Sequence, residues 1–425
     1  MVSYSQNKQK NEILGIGGRI MLLERKKYVD FLLKQKDKDI VKIITGLRRS
    51  GKSTLLFQLY YDKLIEIGIE ENHIIKIALD NIRNANLKDP IALYNEISSM
   101  IIDKNRHYVF LDEVQLVDDF EDVVNGIKND YNCDVYITGS NSKFLSSDIN
   151  TKFRGRGIEL RVYTLGFSEY YAYLKGDTQE AFNNYMLYGG MPYLIQENEA
   201  IEKNRYLQMV AGTVELNDII DRHGIRNVES FKATVNLLCS SIGSYVSSKK
   251  IADTLRSNGQ KSIDHKTVSN YLEYLCDAFL FYKVQRYDIK GRAYLKTQNK
   301  YYVGDIGIRN AILNFRQLEP THAIENLVYL ELLMRGYIVD IGNNNSKEID
   351  FVAKDTKNTY YIQVSYSIVE EHTRKRELDS FHNLDDGYRK VVITMDQDPF
   401  VDLGKGYKKI NMINFLLDEK SLEKI

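Results

Sequence analysis

A chain of 425 residues with 43% hydrophobic and 27% charged positions has the composition of a folded, multi-domain protein, which excludes a disordered or collagen-like chain. Its 58 Lys and Arg balance 58 Asp and Glu, so no global field draws it toward nucleic acid or membrane, and any polyanion site has to be local. Cys133, Cys239 and Cys276 form no C-x-x-C pair, no apolar run reaches about 18 residues, and the polar start Met1 to Lys10 is not followed by the apolar core of a signal peptide, so the expectation is a cytoplasmic protein that does not enter a membrane.

In chain order, the run VKIIT at Val41 to Thr45 meets a glycine turn and then STLLFQLYYDKL, a pattern of strand, loop and helix. Apolar runs at His73 to Leu79, His107 to Leu111, Val135 to Thr138 and Ile158 to Tyr163 alternate with helical stretches. This predicts an α/β fold over residues 1–165, a five-stranded parallel sheet wound on both faces by helices. From Phe167 to about Arg222 only helices are expected, broken at Gly189, Gly190 and Pro192, which reads as a helical lid over 166–225. Between Ser247 and Val303 two amphipathic helices, opened by Ser247 or Ser248 and by Asp264, precede alternating strands around Gly291. That order predicts a winged helix-turn-helix over 226–304. The remainder, 305–425, mixes a helix near Glu325 to Met334 with strands IDFVA, YYIQVSY and KVVITM, an α+β unit.

The residues Gly46-Leu47-Arg48-Arg49-Ser50-Gly51-Lys52-Ser53, with Thr54 at the exit, fit G-x-x-x-x-G-K-[ST] between a strand and a helix. Glycines at Gly46 and Gly51 let main-chain amides fold around phosphate oxygens, and the helix N-terminus adds partial positive charge. Lys52 would reach the terminal phosphates of ATP, and Ser53 would place its hydroxyl on Mg²⁺. Tyr108 to Glu113 is an apolar strand delivering two carboxylates at the end where open α/β sheets bind ligands. Asp112 would hold Mg²⁺ with Ser53, and Glu113 would orient the attacking water. A third strand ends in Thr138, Gly139, Ser140, Asn141 and Ser142, of which Thr138, Ser140 and Asn141 are candidates to stand beside the γ-phosphate.

These residues resemble the AAA+ class of P-loop ATPases, with GLRRSGKS as Walker A, FLDE as Walker B and ITGSN as the sensor 1 strand. The succession GLRRSGKSTLL, LDEVQ, TGSNSKFLS, RGRGIELRVYTLGFSEY, YGGMPYLI and IQVSYS is similar to a widespread bacterial and archaeal family of ATPases that joins an AAA+ module to a C-terminal domain of unknown function. The resemblance spans most of the chain and implies ATP and Mg²⁺ as cofactors. It also implies an arginine finger at Arg154 or Arg156, acting on a neighbouring subunit of a homo-oligomer, and a lid turn in which Pro192 of Gly189-Gly190-Met191-Pro192 packs on adenine. No sensor 2 arginine is identifiable.

Residues 226–300 carry thirteen Lys and Arg against six Asp and Glu, concentrated with Tyr282, Tyr287 and Tyr294 in the wing around Lys290, Arg292 and Lys296. Such a composition suits DNA or RNA bound through residues 247–300, with His265, Lys266, Ser269 and Asn270 of a recognition helix facing a groove. A protein partner is the alternative, since winged helices also bind proteins. The last unit resembles the restriction-endonuclease-like core, with Glu325 on a helix, Asp350 on one strand and Gln363-Val364-Ser365 on the next. In active members an acidic pair joins a Glu-x-Lys or Gln-x-Lys; here Gln363 replaces the usual carboxylate and Ser365 occupies the lysine position, so the expectation is a degenerate centre without cleavage. Arg374, Arg376 and Glu377 belong either to that face or to an ordinary charged helix.

Overall fold

The computed structural model describes residues 23–140, 153, 155–260, 262–345, 347–398 and 400–424. The buried apolar runs form β1 (Val41–Thr45), β2 (Ile74–Ala78), β3 (His107–Asp112), β4 (Cys133–Gly139) and β5 (Gly157–Arg161). They are parallel and ordered β2-β3-β4-β1-β5, so the five expected strands make one sheet. The two-residue period of a strand sorts its side chains. Ile44, Phe110 and Tyr136 pack against α1 (Lys26–Gln35) and α2, a helix that begins at Lys52–Thr54, widens to a π-helix over Leu55–Tyr60 and closes over Tyr61–Glu66. Ile43, Val109, Leu111 and Ile137 pack on the opposite face with α3 (Pro90–Met100) and α4 (Phe120–Asp130). Each such side chain, once buried, contributes about 1.5–3 kcal/mol.

Beyond β5 the chain is helical as expected, through α5 (Phe167–Leu174), α6 (Thr178–Tyr188), α7 (Ala200–Met209), a π-helical turn at Val210–Glu215 and α8 (Leu216–His223). Then follow α9 (Val228–Ser240), the short β6 (Tyr245–Val246), α10 (Ser248–Ser257), α11 (His265–Asp277) and the antiparallel hairpin β7 (Phe281–Asp288) and β8 (Ala293–Val303). Ser247 caps α10 by accepting the Lys250 amide at 3.2 Å, and Asp264 caps α11 by accepting that of Thr267 at 2.7 Å. Both caps stand where the sequence places them.

The C-terminal unit comprises α12 (Ile306–Ile312), α13 (Pro320–Met334), β9 (Ile338–Asn344), β10 (Lys347–Lys354), β11 (Thr359–Ser365), α14 (Glu371–Asp379), β12 (Arg389–Thr394), β13 (Phe400–Gly404), β14 (Tyr407–Asn411) and α15 (Met412–Leu417). Its strands join the hairpin in one nine-stranded sheet, β13-β14-β12-β11-β10-β9-β7-β8-β6. The seam is a parallel pairing of β7 with β9, Arg286 opposite Ile341. A boundary at 304/305 thus falls inside a shared sheet, because the free edge of a hairpin carries unpaired amides and carbonyls that β9 satisfies. One hydrophobic core runs from the lid (Phe167, Tyr185) through α11 and β8 to α13 and β11. Among the described residues no helix is long and apolar enough to cross a membrane.

Candidate nucleotide site

Thr45 at the end of β1 hands the chain to a loop in which Gly46 (φ 144°), Arg49 (φ 61°) and Gly51 (φ 98°) have positive φ. A Cβ on Gly46 would lie 2.0 Å from the carbonyl oxygen of Val162, so only glycine lets the loop press against the strand-end beside it. Lys52 is buried, and its ammonium donates to the carbonyls of Gly46 at 2.9 Å and Leu47 at 3.0 Å. The Ser50 hydroxyl is fully enclosed and has no protein partner, an orphaned donor within the loop. Such a group fits an oxyanion ligand.

The intervening positions of the loop turn to the lid. Leu47 lies in the lid core, Arg48 ion-pairs with Asp218 of α8, and the Arg49 guanidinium sits 5.7 Å from the ring centroid of Tyr206, which stacks on Tyr193 at 4.4 Å. Arg25, just before α1, donates to the carbonyls of Ser50 (3.4 Å) and Tyr163 (2.8 Å) and pairs with Glu169 of α5 at 3.2 Å. It ties the loop to the start of the lid.

In the sheet order, β4 stands between the P-loop strand β1 and the acidic strand β3. The Thr138 hydroxyl therefore reaches Asp112 as a donor, and it also accepts the Glu113 amide at 3.1 Å. Ser53 faces the same Asp112 carboxylate closely enough to favour its charged form. Burial pushes that carboxyl up, the Thr138 and Ser53 hydroxyls pull it down, and the charges of Glu113 and Asp80 add to the rise. A divalent cation between Ser53 and Asp112 would relieve that strain, so these two residues fit Mg²⁺. Glu113 turns off the strand end with φ 56° and accepts from the Gln115 amide, whose nitrogen also stands 3.5 Å from Ser140 Oγ.

Gly51, Lys52, Ser53, Thr54, Glu113 and Pro192 line one cavity of about 410 Å³. A Cβ on Gly51 would approach the Pro192 ring to 3.9 Å, so the lid turn closes directly over the loop. The same cavity has apolar walls at Leu23, Tyr173, Tyr193 and Ile195 that sequence reasoning missed. Arg25 and Gln115 were missed too. Only the Gln two residues after Asp-Glu was visible as a local pattern; the others meet through folding of distant segments.

Asn141, Ser142 and Arg154 lie outside the described residues. Arg156 is exposed, and its carbonyl accepts the amide of Val41, at the start of β1, so it stands at the sheet edge opposite its own P-loop. Of the basic region, His265, Lys266, Ser269 and Asn270 are exposed along α11, as are Lys249, Lys250, Lys290 and Arg292. Lys300 is a correction: it is buried, with its ammonium 3.0 Å from Glu325 and 2.6 Å from Glu348, and it offers nothing to a phosphate backbone.

In the C-terminal unit, Asp350 Oδ2 accepts the Val364 amide at 2.7 Å, and Gln363 accepts the Asp350 amide at 2.8 Å while donating to Glu377 at 2.9 Å. Glu377 also pairs with Arg376 at 2.8 Å, and Ser365 donates to the carbonyl of Ser367 at 3.2 Å. Among the described residues, the one grouping of three metal-capable side chains is His73, Asp103 and His107, at the far edge of the first sheet. His107 there uses Nδ1 on the carbonyl of Asn105 and Nε2 on the Ile102 amide.

Residues 38–171 match a family model described as an AAA domain, and residues 179–319 match a domain of unknown function. An uncharacterized protein of Haemophilus influenzae is 35% identical over 379 residues, spanning 88% of this chain and 93% of that protein. An uncharacterized protein of Methanocaldococcus jannaschii is 29% identical over 398 residues, 88% of this chain and 84% of its own length. Among solved structures, the Aeropyrum pernix ORC1 protein in complex with DNA aligns at 12% identity and TM-score 0.28, over 69% of this chain and 93% of that one. A Thermotoga maritima DNA polymerase III gamma subunit-related protein aligns at 11% and 0.27, over 59% and 99%.

Proposed function

We propose that this chain, which carries an AAA domain over residues 38–171 and belongs with the uncharacterized Haemophilus influenzae relative, is a Mg²⁺-dependent ATPase whose turnover is linked to nucleic acid. The observation that carries the ATPase reading is the meeting of Lys52, Ser53 and Glu113 in one cavity, with Asp112 held behind them by Thr138. ATP would supply the phosphoanhydride, and Mg²⁺ the charge that screens it. The loop amides and Lys52 would grip the phosphates, Ser53 and Asp112 would hold the cation, and Glu113 would orient and partly deprotonate water for in-line attack. Lys52→Ala is expected to abolish nucleotide binding, and Glu113→Gln to keep binding and stop turnover. Parental turnover in Glu113→Gln would remove Glu113 from its role.

Nucleic-acid linkage is supported by the exposed row His265, Lys266, Ser269 and Asn270 on α11 and by Lys290 and Arg292 at the hairpin tip. The order α9, β6, α10, α11, β7, β8, with β6 paired to β8, supports reading this unit as a winged helix. Neutralising Lys266, Lys290 and Arg292 is expected to weaken DNA or RNA binding and to flatten its salt dependence. The rival reading, a nucleotide-gated switch for a protein partner, is favoured by the balanced total charge and by the Pro192 turn over the P-loop. ATP turnover indifferent to single-stranded DNA, duplex DNA and RNA would select it. Arg156, at the edge away from its own loop, supports a finger that acts between copies. Arg156→Ala should then lower turnover only in the assembled protein.

A further inference from the structure

Three carboxylates converge where the hairpin meets the C-terminal unit: Glu325 from α13, and Glu348 and Asp350 from β10. On the restriction-endonuclease-like reading of this unit, this is where a divalent cation belongs, and the residues present do not fit one. The ammonium of Lys300 already stands between the carboxylates, bonding Glu325 and Glu348, and Glu325 Oε1 takes a further bond from the Tyr302 hydroxyl at 2.6 Å. Asp350 spends one oxygen on the Val364 amide. Gln363 turns its carbonyl to the Asp350 amide and its NH₂ to Glu377. Mg²⁺ needs about six oxygens in near-octahedral array, and a monovalent cation at hydrogen-bonding distance from the same carboxylates competes for the position. Glu325, Glu348 and Asp350 do not bring one oxygen each to within 4.8 Å of the other two; among the described residues the group of three that does so is His73, Asp103 and His107.

We infer that Lys300 is the resident cation of this cluster, replacing a divalent metal and stapling strand β8 of the hairpin to α13 and β10 of the C-terminal unit. The carboxylates that a nuclease would use on metal here hold two parts of one sheet together. Lys300 is 4% exposed and Glu325 8%, so this pair sits out of water, where removing one partner leaves an uncompensated buried charge, while Glu348 closes the staple from a partly exposed position. The inference is independent of the nucleotide site, because none of these residues lines that cavity.

Two measurements test it on the full chain. First, Mn²⁺ is titrated into nucleotide-free protein and free Mn²⁺ is followed by electron paramagnetic resonance, for the parental chain and for Glu325→Gln. The expected result is an unchanged number of bound ions and no Mn²⁺-dependent cleavage of single- or double-stranded DNA. Loss of a bound ion in Glu325→Gln, or cleavage abolished by Asp350→Asn, overturns the inference. Second, Lys300→Met and Glu325→Gln are melted singly and together. Each single change is expected to lower the melting temperature by roughly 10 °C, and the double change to recover at least about half of that loss, since it removes both charges. Strictly additive losses would show that the two residues are not a staple. A poorly folded Lys300→Met leaves the Mn²⁺ comparison intact, because that arm uses only the parental chain and Glu325→Gln.

Discussion

Asp305, at the head of α12, accepts the amide of Gly190, in the lid turn, at 2.9 Å. Its other oxygen accepts the amides of Gly307 (2.9 Å) and Ile308 (3.2 Å), so one buried carboxylate both caps α12 and pins the turn that carries Pro192 over the P-loop. Asn310, one helical turn on, donates to the carbonyls of Met186 and Leu187, both at 3.0 Å, at the end of α6. The segment that carries Pro192 is therefore fastened to the C-terminal unit by hydrogen bonds as well as by a shared core.

Gly307 sits at the tightest point of this joint. A Cβ there would fall 1.9 Å from the carbonyl oxygen of Tyr188, which is backbone and cannot step aside. Gly307→Ala is expected to cost about 3 kcal/mol or more, at the upper end of overpacking, and to weaken ATP binding several-fold by displacing the Pro192 turn. Gly212→Ala is the control: nothing lies within 4 Å of its Cβ, and it should leave stability within about 1 kcal/mol of parental. Equal melting temperatures for the two variants would refute the joint.

Thr138 positions both acidic residues, donating to Asp112 and accepting the amide of Glu113. Replacing its hydroxyl by a methyl in Thr138→Val removes both bonds at nearly constant volume. Since a hydrogen bond to a charged group is worth about 1.5–3 kcal/mol, turnover should fall by roughly ten- to a hundred-fold. Nucleotide affinity, set by the loop and Lys52, should change by less than about three-fold. A loss confined to affinity would show that Thr138 does not act through the carboxylates.

Lys42 is the second residue of the buried strand β1, with no exposed surface, and it is bonded to Asp134 on β4 and to the carbonyl of Lys38 at 2.9 Å. Asp134 also accepts from the Tyr136 hydroxyl and the Asp37 amide, both at 2.8 Å. Lys42→Met leaves this carboxylate buried and unpaired, and is expected to destabilise the first sheet by about 3–5 kcal/mol. Chemical denaturation should show it as a lower midpoint with an unchanged slope.

The strands and loop of the first sheet were legible because their signals are local. VKIIT is one buried strand, Gly46 and Gly51 are the only residues tolerable at their φ angles and contacts, and Ser247 and Asp264 cap helices within three residues of themselves. Lys300 was not legible. In sequence it is one more basic residue in a basic hairpin, and its burial follows from β7 pairing with β9 and from α13 packing beneath, contacts that no spacing in the chain announces. Arg25 escaped for the same reason, since its target, the Ser50 carbonyl, comes near only when α1 covers the sheet. The two acidic strand-end residues are legible as a pair, but Thr138, Ser140 and Asn141 are equal candidates to neighbour them in sequence, and only the placement of β4 beside β3 singles out Thr138.

Acid should loosen the C-terminal sheet through Asp396. Burial opposes its charge, but the Ser367 hydroxyl, the Ile368 amide and the Lys409 ammonium outweigh that and hold its carboxyl below the usual range. The hydroxyl lies at 2.6 Å, the amide at 3.1 Å and the ammonium at 3.6 Å. A carboxyl depressed in the folded state adds stability that is fully present above the unfolded value of about 3.9 and is lost as pH falls through the folded value. Asp396→Asn gives up that contribution at every pH. The variant should therefore melt below the parental chain at pH 7, by the same margin at pH 5, and by a margin that shrinks from pH 4 to pH 3 as the parental carboxyl takes up its proton. Other depressed carboxyls, such as Asp355 and Asp402, titrate in both proteins and cancel in the difference. A gap that stays constant down to pH 3 would mean that Asp396 stabilises the sheet by shape alone and not by its charge.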